Sequence, residues 1–410
     1  MFHLITIGAG AAGFFGSITA AENGAKSVLM LEKSSKVLGK VKISGGGRCN
    51  VTHHCFDPKA LSKFYPRGEK SLIGPLHRWG AQDTVDWFES RGVALKAEAD
   101  GRMFPVTNDS QTIIDCLTKA ARDAGVQIET SNGVASIEQL KDDEADGARF
   151  IVHTDKGASH RTRSILLATG GTRLAAGAKL AEHLGHQLEP AIPSLFTFKI
   201  THPLLTDLPG VAVTETDVSV ENSKLKSKGP LLITHWGVSG PGILRLSAWG
   251  ARKLSKLDYK FTLAVNWLPS TDAAATITKL RSDWGKRQLS TRCPFEQIPK
   301  RLWARMLEVA KIPETQIWSQ LSKAHTKTLS DLLNNCHLPV VGKSINKDEF
   351  VTAGGVELKE INLKTMQSKL CSGLYFAGEV MNVDGITGGF NFQNAWMSGH
   401  HAGCAIAEDF

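Results

Sequence analysis

The sequence predicts an α/β protein in which one nucleotide-binding domain is built from both ends of the chain. Three segments lead to this prediction. A short apolar strand runs into a glycine-rich turn and a helix near the N-terminus, an apolar strand ends in ATGG near residue 170, and a further strand, glycine turn and helix lie near the C-terminus. The stretch from 194 to 344 lacks these signals and is expected to be an insert.

The composition is that of an ordinary globular protein, with 42% hydrophobic and 21% charged residues. A chain of 410 residues can form two or three domains with sizeable cores. No stretch approaches the roughly 20 apolar residues of a membrane span, so we expect no membrane segment and a location in the cytoplasm. The seven cysteines include no CxxC pair, which predicts reduced thiols and no metal site.

The N-terminal segment has the parts of a βαβ unit. Leu4–Ile7 is a short apolar strand, Ala11–Glu22 has the composition of a helix, and Ser27–Leu31 is a second strand. The sequence GAGAAG, residues 8–13, lies between the first strand and the helix. This is the order in which a dinucleotide-binding unit is built.

Each glycine of that turn is predicted to have a different structural role. Gly8 allows a tight turn, Gly10 lets the backbone approach a pyrophosphate, and Gly13 lets the helix pack closely on the strand. The helix N-terminus favours an anion. Glu32 lies 19 residues after Gly13, where its carboxylate can accept hydrogen bonds from a ribose. The segment therefore predicts dinucleotide binding.

Two later segments favour FAD over NAD as that dinucleotide. Ser164–Gly171, SILLATGG, is a strand ending in a turn, and Ser372–Glu379, SGLYFAGE, is another. Asp384 and the pair Gly388-Gly389 follow, before a helix of small residues at Asn394–Ala407. Such segments are typical of two-dinucleotide-fold flavoproteins, in which both chain ends meet on one cofactor.

Four segments resemble the BaiN/RdsA family of FAD-dependent oxidoreductases. They are KISGGGRCNVT (42–52), GRMFPVTNDSQTIID (101–115), THWGVSGPGILRLS (234–247) and the stretch 351–396, which begins VTAGG. The resemblance covers essentially the whole chain. It implies a Rossmann-like FAD-binding domain interrupted by an insert of a small β-barrel and a helical subdomain. The activities attributed to the family are reduction of bile-acid C=C bonds, oxidation of aminoacetone, and reduction of a uridine in large-subunit ribosomal RNA.

The organisation of the sequence agrees with that architecture. We predict a FAD-binding domain of residues 1–193 plus 345–410. Alternating segments such as TFKI, VTETDVSV and LLIT suggest a barrel formed by 194–269 plus 336–344, and strands are expected as far as Phe261. Helical spacing that begins at Ser270-Thr271-Asp272 predicts a helical part at 270–335.

The resemblance and these positions together predict the cofactor site. The residues expected to bind FAD are Gly8, Gly10, Ala11, Ala12, Gly13, Glu32, Lys33, Lys40, Ser44, Gly45, Gly46, Gly47, Gly170, Gly378, Glu379, Asp384, Gly388, Gly389, Asn391, Phe392 and Gln393. No second fingerprint of comparable quality exists for NAD(P)H, although TAGG at 352–355 is a weaker candidate. NAD(P)H is a candidate for a transient electron donor.

The cysteines in GGGRCNVTHHC allow three interpretations. A redox disulfide between Cys49 and Cys55 is disfavoured, because five residues separate them where the disulfide reductases have four. Alternatively, Cys49 donates a proton to one carbon of a C=C bond while the flavin reduces that bond, and Arg48 orients the substrate. Cys49 could equally pack beside the flavin without a catalytic role. Arg102 and Tyr375 are weaker candidates for acid or orienting groups.

Charge distribution bears on the substrate. Residues 194–344 contain 21 basic and 11 acidic side chains, a net charge of +10, whereas the remainder has a net charge of −2. The same stretch holds six of the nine tryptophans, most of which are expected in the core: Trp236, Trp249, Trp267, Trp284, Trp303 and Trp318. These features favour an RNA substrate, and together with the family resemblance they lead to the hypothesis that the protein reduces a uridine of ribosomal RNA. The rival hypotheses are a small-molecule FAD oxidoreductase, acting on an enone or an amine, and a FAD-holding RNA-binding or assembly protein with little catalysis.

Overall fold

The computed structural model describes residues 1–141, 147–171, 176–344 and 351–409. The chain divides into two compact units. Unit 1 comprises Met1–Pro193 and Lys347–Phe410, and unit 2 comprises Ser194–Asn346. The second boundary that the sequence suggested, between 344 and 345, adjoins residues 345–350, which lie outside the described part of the chain.

The described part of the chain contains the following strands and α-helices. The strands are β1 (Phe2–Ile7), β2 (Val28–Leu31), β3 (Thr52–His53), β4 (Leu95–Ala97), β5 (Arg102–Pro105), β6 (Gln127–Glu129), β7 (Val134–Gln139), β8 (Phe150–Thr154), β9 (Ser159–Leu167), β10 (Leu188–Pro193), β11 (Thr197–Ile200), β12 (Ala212–Val220), β13 (Lys226–Thr234), β14 (Gly237–Ser239), β15 (Phe261–Asn266), β16 (Cys336–Ser344), β17 (Thr352–Val356), β18 (Ile361–Asn362), β19 (Gln367–Ser368) and β20 (Leu374–Phe376). The α-helices are α1 (Ala11–Glu22), α2 (Gly39–Gly47), α3 (Pro58–Ser62), α4 (Glu69–Arg78), α5 (Ala81–Glu89), α6 (Ser110–Asp123), α7 (Ala176–His183), α8 (Pro241–Lys256), α9 (Ala273–Asp283), α10 (Lys300–Val309), α11 (Lys323–Asn334) and α12 (Phe390–Glu408).

The central sheet of unit 1 is parallel in its middle. Strands β20, β9, β1, β2 and β6 lie side by side in that order, each parallel to the next. Leu4, Leu29 and Ile165 are fully buried on these strands, as expected where helices cover both faces of a parallel sheet. The carboxyl ends of the strands therefore share one edge, the place where open α/β sheets bind ligands.

The first and last helices of unit 1, α1 and α12, pack so closely that their backbones are in contact. A Cβ atom added at Gly403 of α12 would lie 2.6 Å from the carbonyl oxygen of Gly16 in α1. A Cβ at Gly399 would lie 2.8 Å from the carbonyl oxygen of Ala12. Both glycines are thus required by the close approach of the two helices, and side chains there would separate them.

Unit 2 contains a closed barrel of six described strands in the order β11-β14-β13-β12-β15-β16. Phe198, Leu231 and Leu263 are fully buried within its hydrophobic core. Helices α9, α10 and α11 lie between β15 and β16 in sequence and bury Trp303 and Trp318. The α/β fold with an inserted barrel and helices, predicted from the sequence, is confirmed.

One helix of unit 2 was not predicted. Strands were expected as far as Phe261, but α8 occupies Pro241–Lys256. Its signal was present, because Gly240 precedes a proline in the first turn, and Ile243, Leu246 and Leu254 are buried at helical spacing. By contrast, the predicted bounds of α1 agree with the structure. No helix in the described ranges is long and apolar enough to cross a membrane.

The glycine contact between α1 and α12 generates a stability prediction. We expect Gly403→Leu to lower the free energy of unfolding by about 2–3 kcal/mol, because its side chain must displace the backbone of α1. Leucine is a good helix former, so the loss would come from packing rather than helix propensity. Urea denaturation followed by circular dichroism would measure it.

The matched control is Ala405→Leu, which places the same side chain at a half-buried position of the same helix. We expect it to change the free energy of unfolding by less than about 1 kcal/mol. Equal losses in the two variants would contradict the claim that α12 is held against α1 by backbone contact.

Candidate functional site

A cavity of about 650 Å³ lies in unit 1, lined by segments that follow β1, β2, β9 and β20. Its volume is within the range of about 300–1,000 Å³ that is usual for ligand and cofactor sites. The turn before α1, the first part of α2 and the start of α12 complete the wall. Both ends of unit 1 therefore contribute to one site.

Most of the residues that the sequence suggested for FAD line this cavity. They are Gly8, Gly10, Ala11, Ala12, Glu32, Lys40, Ser44, Gly45, Gly46, Gly170, Gly378, Glu379, Gly388, Gly389, Asn391 and Phe392. Sequence reasoning missed further lining residues, which are Ala9, Ser34, Lys36, Leu38, Gly39, Val41, Ile43, Asn50, Ala168, Thr169, Val351, Ala377, Ile386, Thr387 and Ala395. Several of these directly adjoin a predicted residue, so neighbourhood in sequence was the available signal.

Five of the suggested cofactor residues do not line the cavity. The Asp384 carboxylate is fully buried and pairs with Arg67, and Gln393 is buried and accepts a hydrogen bond from the Thr52 hydroxyl at 2.6 Å. Gly13 packs against the turn, since a Cβ there would lie 2.0 Å from the Gly8 carbonyl oxygen. Lys33 and Gly47 are likewise absent from the lining. These five residues lie outside the lining, and their roles in FAD binding stay predictions.

The weaker nucleotide candidate, TAGG at 352–355, is not a loop. These residues belong to β17, which pairs with β10 and is buried along its length. A buried, paired strand offers no glycine turn for a phosphate. The structure therefore removes this segment as a candidate NAD(P)H site.

Glu32 is fixed at the end of β2 by backbone donors. One carboxylate oxygen accepts the Ala9 N–H at 2.8 Å, and the other accepts both the N–H and the hydroxyl of Ser34 at 2.8 Å. These bonds tie the glycine-rich turn to the second strand and aim the carboxylate along the cavity wall. A carboxylate has more acceptor sites than these bonds use, so it can also accept from a ribose.

A salt bridge joins two distant segments that line the cavity. The Lys40 ammonium contacts the Glu379 carboxylate at 2.7 Å, linking α2 to the turn after β20. The Gly378 N–H donates to the Ser398 hydroxyl of α12 at 2.9 Å, which fixes the same turn from its other side. The AGE turn is thus held by both helices.

The glycines in the C-terminal half of α2 form a compact, non-helical turn. Gly45 and Gly46 have φ values of 58° and 70°, a conformation that strongly favours glycine. A Cβ at Gly45 would also lie 2.8 Å from the Phe104 ring, whereas one at Gly46 would meet nothing within 4 Å. The turn therefore presents open backbone to the cavity rather than side chains.

Cys49 lies behind that turn and does not line the cavity. Its side chain is fully buried, and burial raises the pKa of its thiol to about 12, an effect only partly offset by a hydrogen bond with Ser44. A thiol in that position is a poor proton donor, because it has no described path to a substrate and resists ionisation. Of the three interpretations considered from the sequence, the burial of Cys49 favours packing. Cys49 and Cys55 are both free thiols, not a disulfide.

Two arginines share one carboxylate and one aromatic ring near the cavity. Arg48 contacts Glu98 at 2.6 Å and lies over the Phe104 ring at 3.9 Å, but it does not line the cavity. Arg102 does line it, and contacts Glu98 at 2.9 Å and Asp100 at 2.8 Å. Arg102, one of the weaker sequence candidates, is therefore better placed than Arg48 to meet a substrate. Tyr375 is buried, and burial raises its pKa.

The residues present fit a dinucleotide such as FAD. Gly10 lines the cavity, and a Cβ added there would meet nothing within 4 Å, so the turn leaves room where a pyrophosphate would approach α1. Thr169 also lines the cavity, and its buried hydroxyl has no described partner. A buried polar atom without a partner indicates a missing ligand or water. No cluster of three or more metal-ligating side chains occurs in the ranges that the structure covers.

The burial of Cys49 predicts the order of cysteine labelling. In the folded protein, iodoacetamide should modify the partly exposed Cys55 well before Cys49. Alkylation needs an accessible thiolate, and the raised pKa of Cys49 opposes its formation at pH 8. Peptide mass spectrometry over a time course would measure both rates, with urea-unfolded protein as the control in which they become similar. Equal rates in the folded protein would contradict the described position of Cys49.

Comparisons with known proteins agree with the geometry. A ribosomal RNA dihydrouridine synthase from Escherichia coli (strain K12) is 30% identical over 407 residues, covering 97% of this chain and 96% of that protein. A 3-dehydro-bile acid Δ4,6-reductase from Clostridium scindens is 28% identical over 418 residues, covering 98% of both. A solved structure, 3-ketosteroid Δ4-(5α)-dehydrogenase from Rhodococcus jostii RHA1, has a TM-score of 0.53 at 15% identity, covering 99% of this chain and 96% of that one.

The profile described as "HI0933-like protein Rossmann domain" matches residues 2–405. That match covers nearly the whole chain, including the insert and the C-terminal segment that returns to the cavity. The chain therefore belongs to the HI0933-like family, the BaiN/RdsA family of FAD-dependent oxidoreductases that its motifs predicted.

Proposed function

We propose that this FAD-dependent oxidoreductase reduces a uridine of large-subunit ribosomal RNA to dihydrouridine. The observation that carries the proposal is the charge of unit 2, which has 21 basic and 11 acidic residues, while the rest of the chain has a net charge of −2. RNA is a polyanion, so a unit with a net charge of +10 attracts it over a distance. The name of the 30% identical relative supports the same substrate. An rRNA-modifying role would place the chain in the cytoplasm.

Different cavity residues would bind different parts of FAD. The N–H groups at the start of α1, from Ala11 onward, would hold the pyrophosphate, and the Glu32 carboxylate would accept hydrogen bonds from the adenosine ribose. Gly388 and Gly389 precede α12, whose N-terminus carries partial positive charge. When bound, FAD supplies the hydride for the C=C bond.

The chain's own residues would stabilise the substrate during reduction. The C=C bond of uridine is conjugated to a carbonyl, so negative charge develops on that oxygen as the bond is reduced. Arg102 lines the cavity, is partly exposed, and is held by Glu98 and Asp100, so its guanidinium is positioned to meet a carbonyl or a phosphate. Lys36 adds a further positive charge to the lining, whereas that of Lys40 is paired with Glu379. We further propose NAD(P)H as a transient electron donor.

A second candidate is reduction of a small conjugated ketone. The bile-acid reductase is 28% identical over 98% of this chain, nearly as similar as the RNA-modifying relative. Both printed names describe reduction of a C=C bond, so the chemistry is shared and the substrate differs. A single small anion would not need the charge of unit 2, which is why we place this candidate second.

Deletion of the gene tests the proposal directly. Dihydrouridine in large-subunit ribosomal RNA, measured by mass spectrometry of its nucleosides, should fall at one position and return when the gene is supplied on a plasmid. Supplying the Arg102→Gln variant should restore it only partly, since that variant loses the cationic group in the cavity. An unchanged level in the deletion strain would contradict the proposal, and turnover of a 3-oxo-Δ4 steroid by the purified protein would then support the second candidate.

Glu32 provides a test of the cofactor site. We expect Glu32→Gln to weaken FAD binding by about 10- to 100-fold, because hydrogen bonds to a charged group contribute ~1.5–3 kcal/mol and about 1.4 kcal/mol is tenfold. Fluorescence titration of the apoprotein with FAD would measure this. Glu22→Gln, at the far end of α1 and paired with Arg91, is the control and should bind FAD as the wild type does. Equal affinity in both variants would contradict the role of Glu32.

A further inference from the structure

Helix α8 of unit 2 exposes a row of basic side chains around a tryptophan. Arg245, Trp249, Lys253 and Lys256 are three or four residues apart, so they follow one face of the helix. Trp249 is 45% exposed, Lys253 and Lys256 are exposed, and Arg245 is half-buried. The row, which we call the α8 face, extends about 16 Å along the helix axis.

The charge of the α8 face is not neutralised within the described chain. The helix contains no acidic residue. In the ranges that the structure covers, neither Lys253 nor Lys256 makes an ion pair, and Arg245 donates to the Pro241 carbonyl oxygen at 3.2 Å. Several cations on one helix face repel one another, and an anionic partner would relieve that repulsion.

Trp249 differs from four of the other five tryptophans of unit 2, and the fifth, Trp236, is also exposed but lies off α8, in the turn between β13 and β14. Trp267, Trp303 and Trp318 are buried in the core, and the Trp284 ring already has Arg287 and Arg292 over it at 5.2 and 5.7 Å. Within the described chain, Trp249 has no such aromatic or cationic neighbour on its ring. Its indole is therefore available for stacking.

We propose that the α8 face binds an unpaired segment of RNA, with a base stacked on Trp249 and phosphates against Lys253, Lys256 and Arg245. Single-stranded RNA offers both groups at once, because its bases are not enclosed in a duplex. The inference rests on the proposed function for the identity of that RNA as ribosomal. The inference identifies the surface that binds RNA, whereas the net charge of unit 2 indicates only that the partner is a polyanion.

A membrane is the other anionic surface to be considered. An interfacial helix needs a broad apolar face directed at the lipid. The apolar face of α8 instead points inward, where Ile243, Leu246 and Leu254 are fully buried. Trp249 is the large apolar side chain on its outer face, and one such residue does not make an inserting helix. These observations favour RNA.

The test compares full-length variants loaded with FAD, with an unstructured oligouridine RNA and purified large-subunit ribosomal RNA as probes. Trp249→Ala should weaken binding of the oligouridine by about 5- to 150-fold, the usual loss for one stacked base. Lys253→Gln with Lys256→Gln should lower the slope of log affinity against log salt by about 1.4, or about 0.7 for each phosphate that is no longer neutralised. Trp249→Phe should retain most of the affinity.

Matched controls separate the α8 face from charge in general. Lys323→Gln with Lys327→Gln removes two exposed lysines, also four or fewer residues apart, from α11 of the same unit. Trp236→Ala removes an exposed tryptophan, 61% exposed, from the turn between β13 and β14. Both controls should bind RNA as the wild type does. Bound FAD and the thermal midpoint should be unchanged in all variants, which shows that each is folded.

The outcomes distinguish this inference from the proposed function. If α8 variants bind as the wild type does, or if the controls lose as much affinity, the inference is overturned, whatever the deletion strain shows. If α8 variants lose binding while the deletion strain keeps its dihydrouridine, the RNA surface stands and the proposed reaction fails. Binding to anionic lipid vesicles that depends on Trp249, with none to either RNA, would also overturn the inference.

Discussion

The backbone contact between α1 and α12 is the constraint on which the site depends. Gly403 and Gly399 let the last helix lie directly on the first, although the chain runs through a whole inserted unit between them. That contact brings the turn at Gly388-Gly389 to the same cavity as the GAGAAG turn. From this position, Ser398 holds the Gly378 turn and Trp396 donates to the Val51 carbonyl oxygen at 2.9 Å. One helix thereby fixes two walls of the cavity.

The same contact explains which parts of the site could be predicted from sequence. The glycine turn before α1 and Glu32 after β2 are local features, since a strand, a turn and a helix within a short stretch specify them. Asp384 and Gln393 are different, because their partners Arg67 and Thr52 are 317 and 341 residues away in the chain. Pattern reasoning cannot find such pairs, so the sequence suggested a role in cofactor binding for both residues but neither partner.

Burial is the second property that a sequence pattern conceals. GGGRCN reads as a loop with an available thiol, yet Cys49 has a φ of 61° and is fully enclosed behind the turn. Helix α8 shows the opposite case, since its glycine, proline and apolar spacing were present but were read as part of a run of strands. Local propensity identifies elements, whereas packing decides which side chains reach a cavity.

Two relatives that are similarly close to this chain have names that describe different substrates. Relatives with names as different as an RNA modifier and a bile-acid reductase align over nearly the full chain at 30% and 28% identity. If the turns that surround the cavity hold FAD, as we propose, they can remain alike while substrates change. Under the proposed function, discrimination between substrates would come from charge and shape outside those turns. In this chain the positive charge is concentrated in unit 2, where basic residues exceed acidic ones by 10. The electrostatic field of that charge attracts a polyanion more strongly than a small, singly charged molecule.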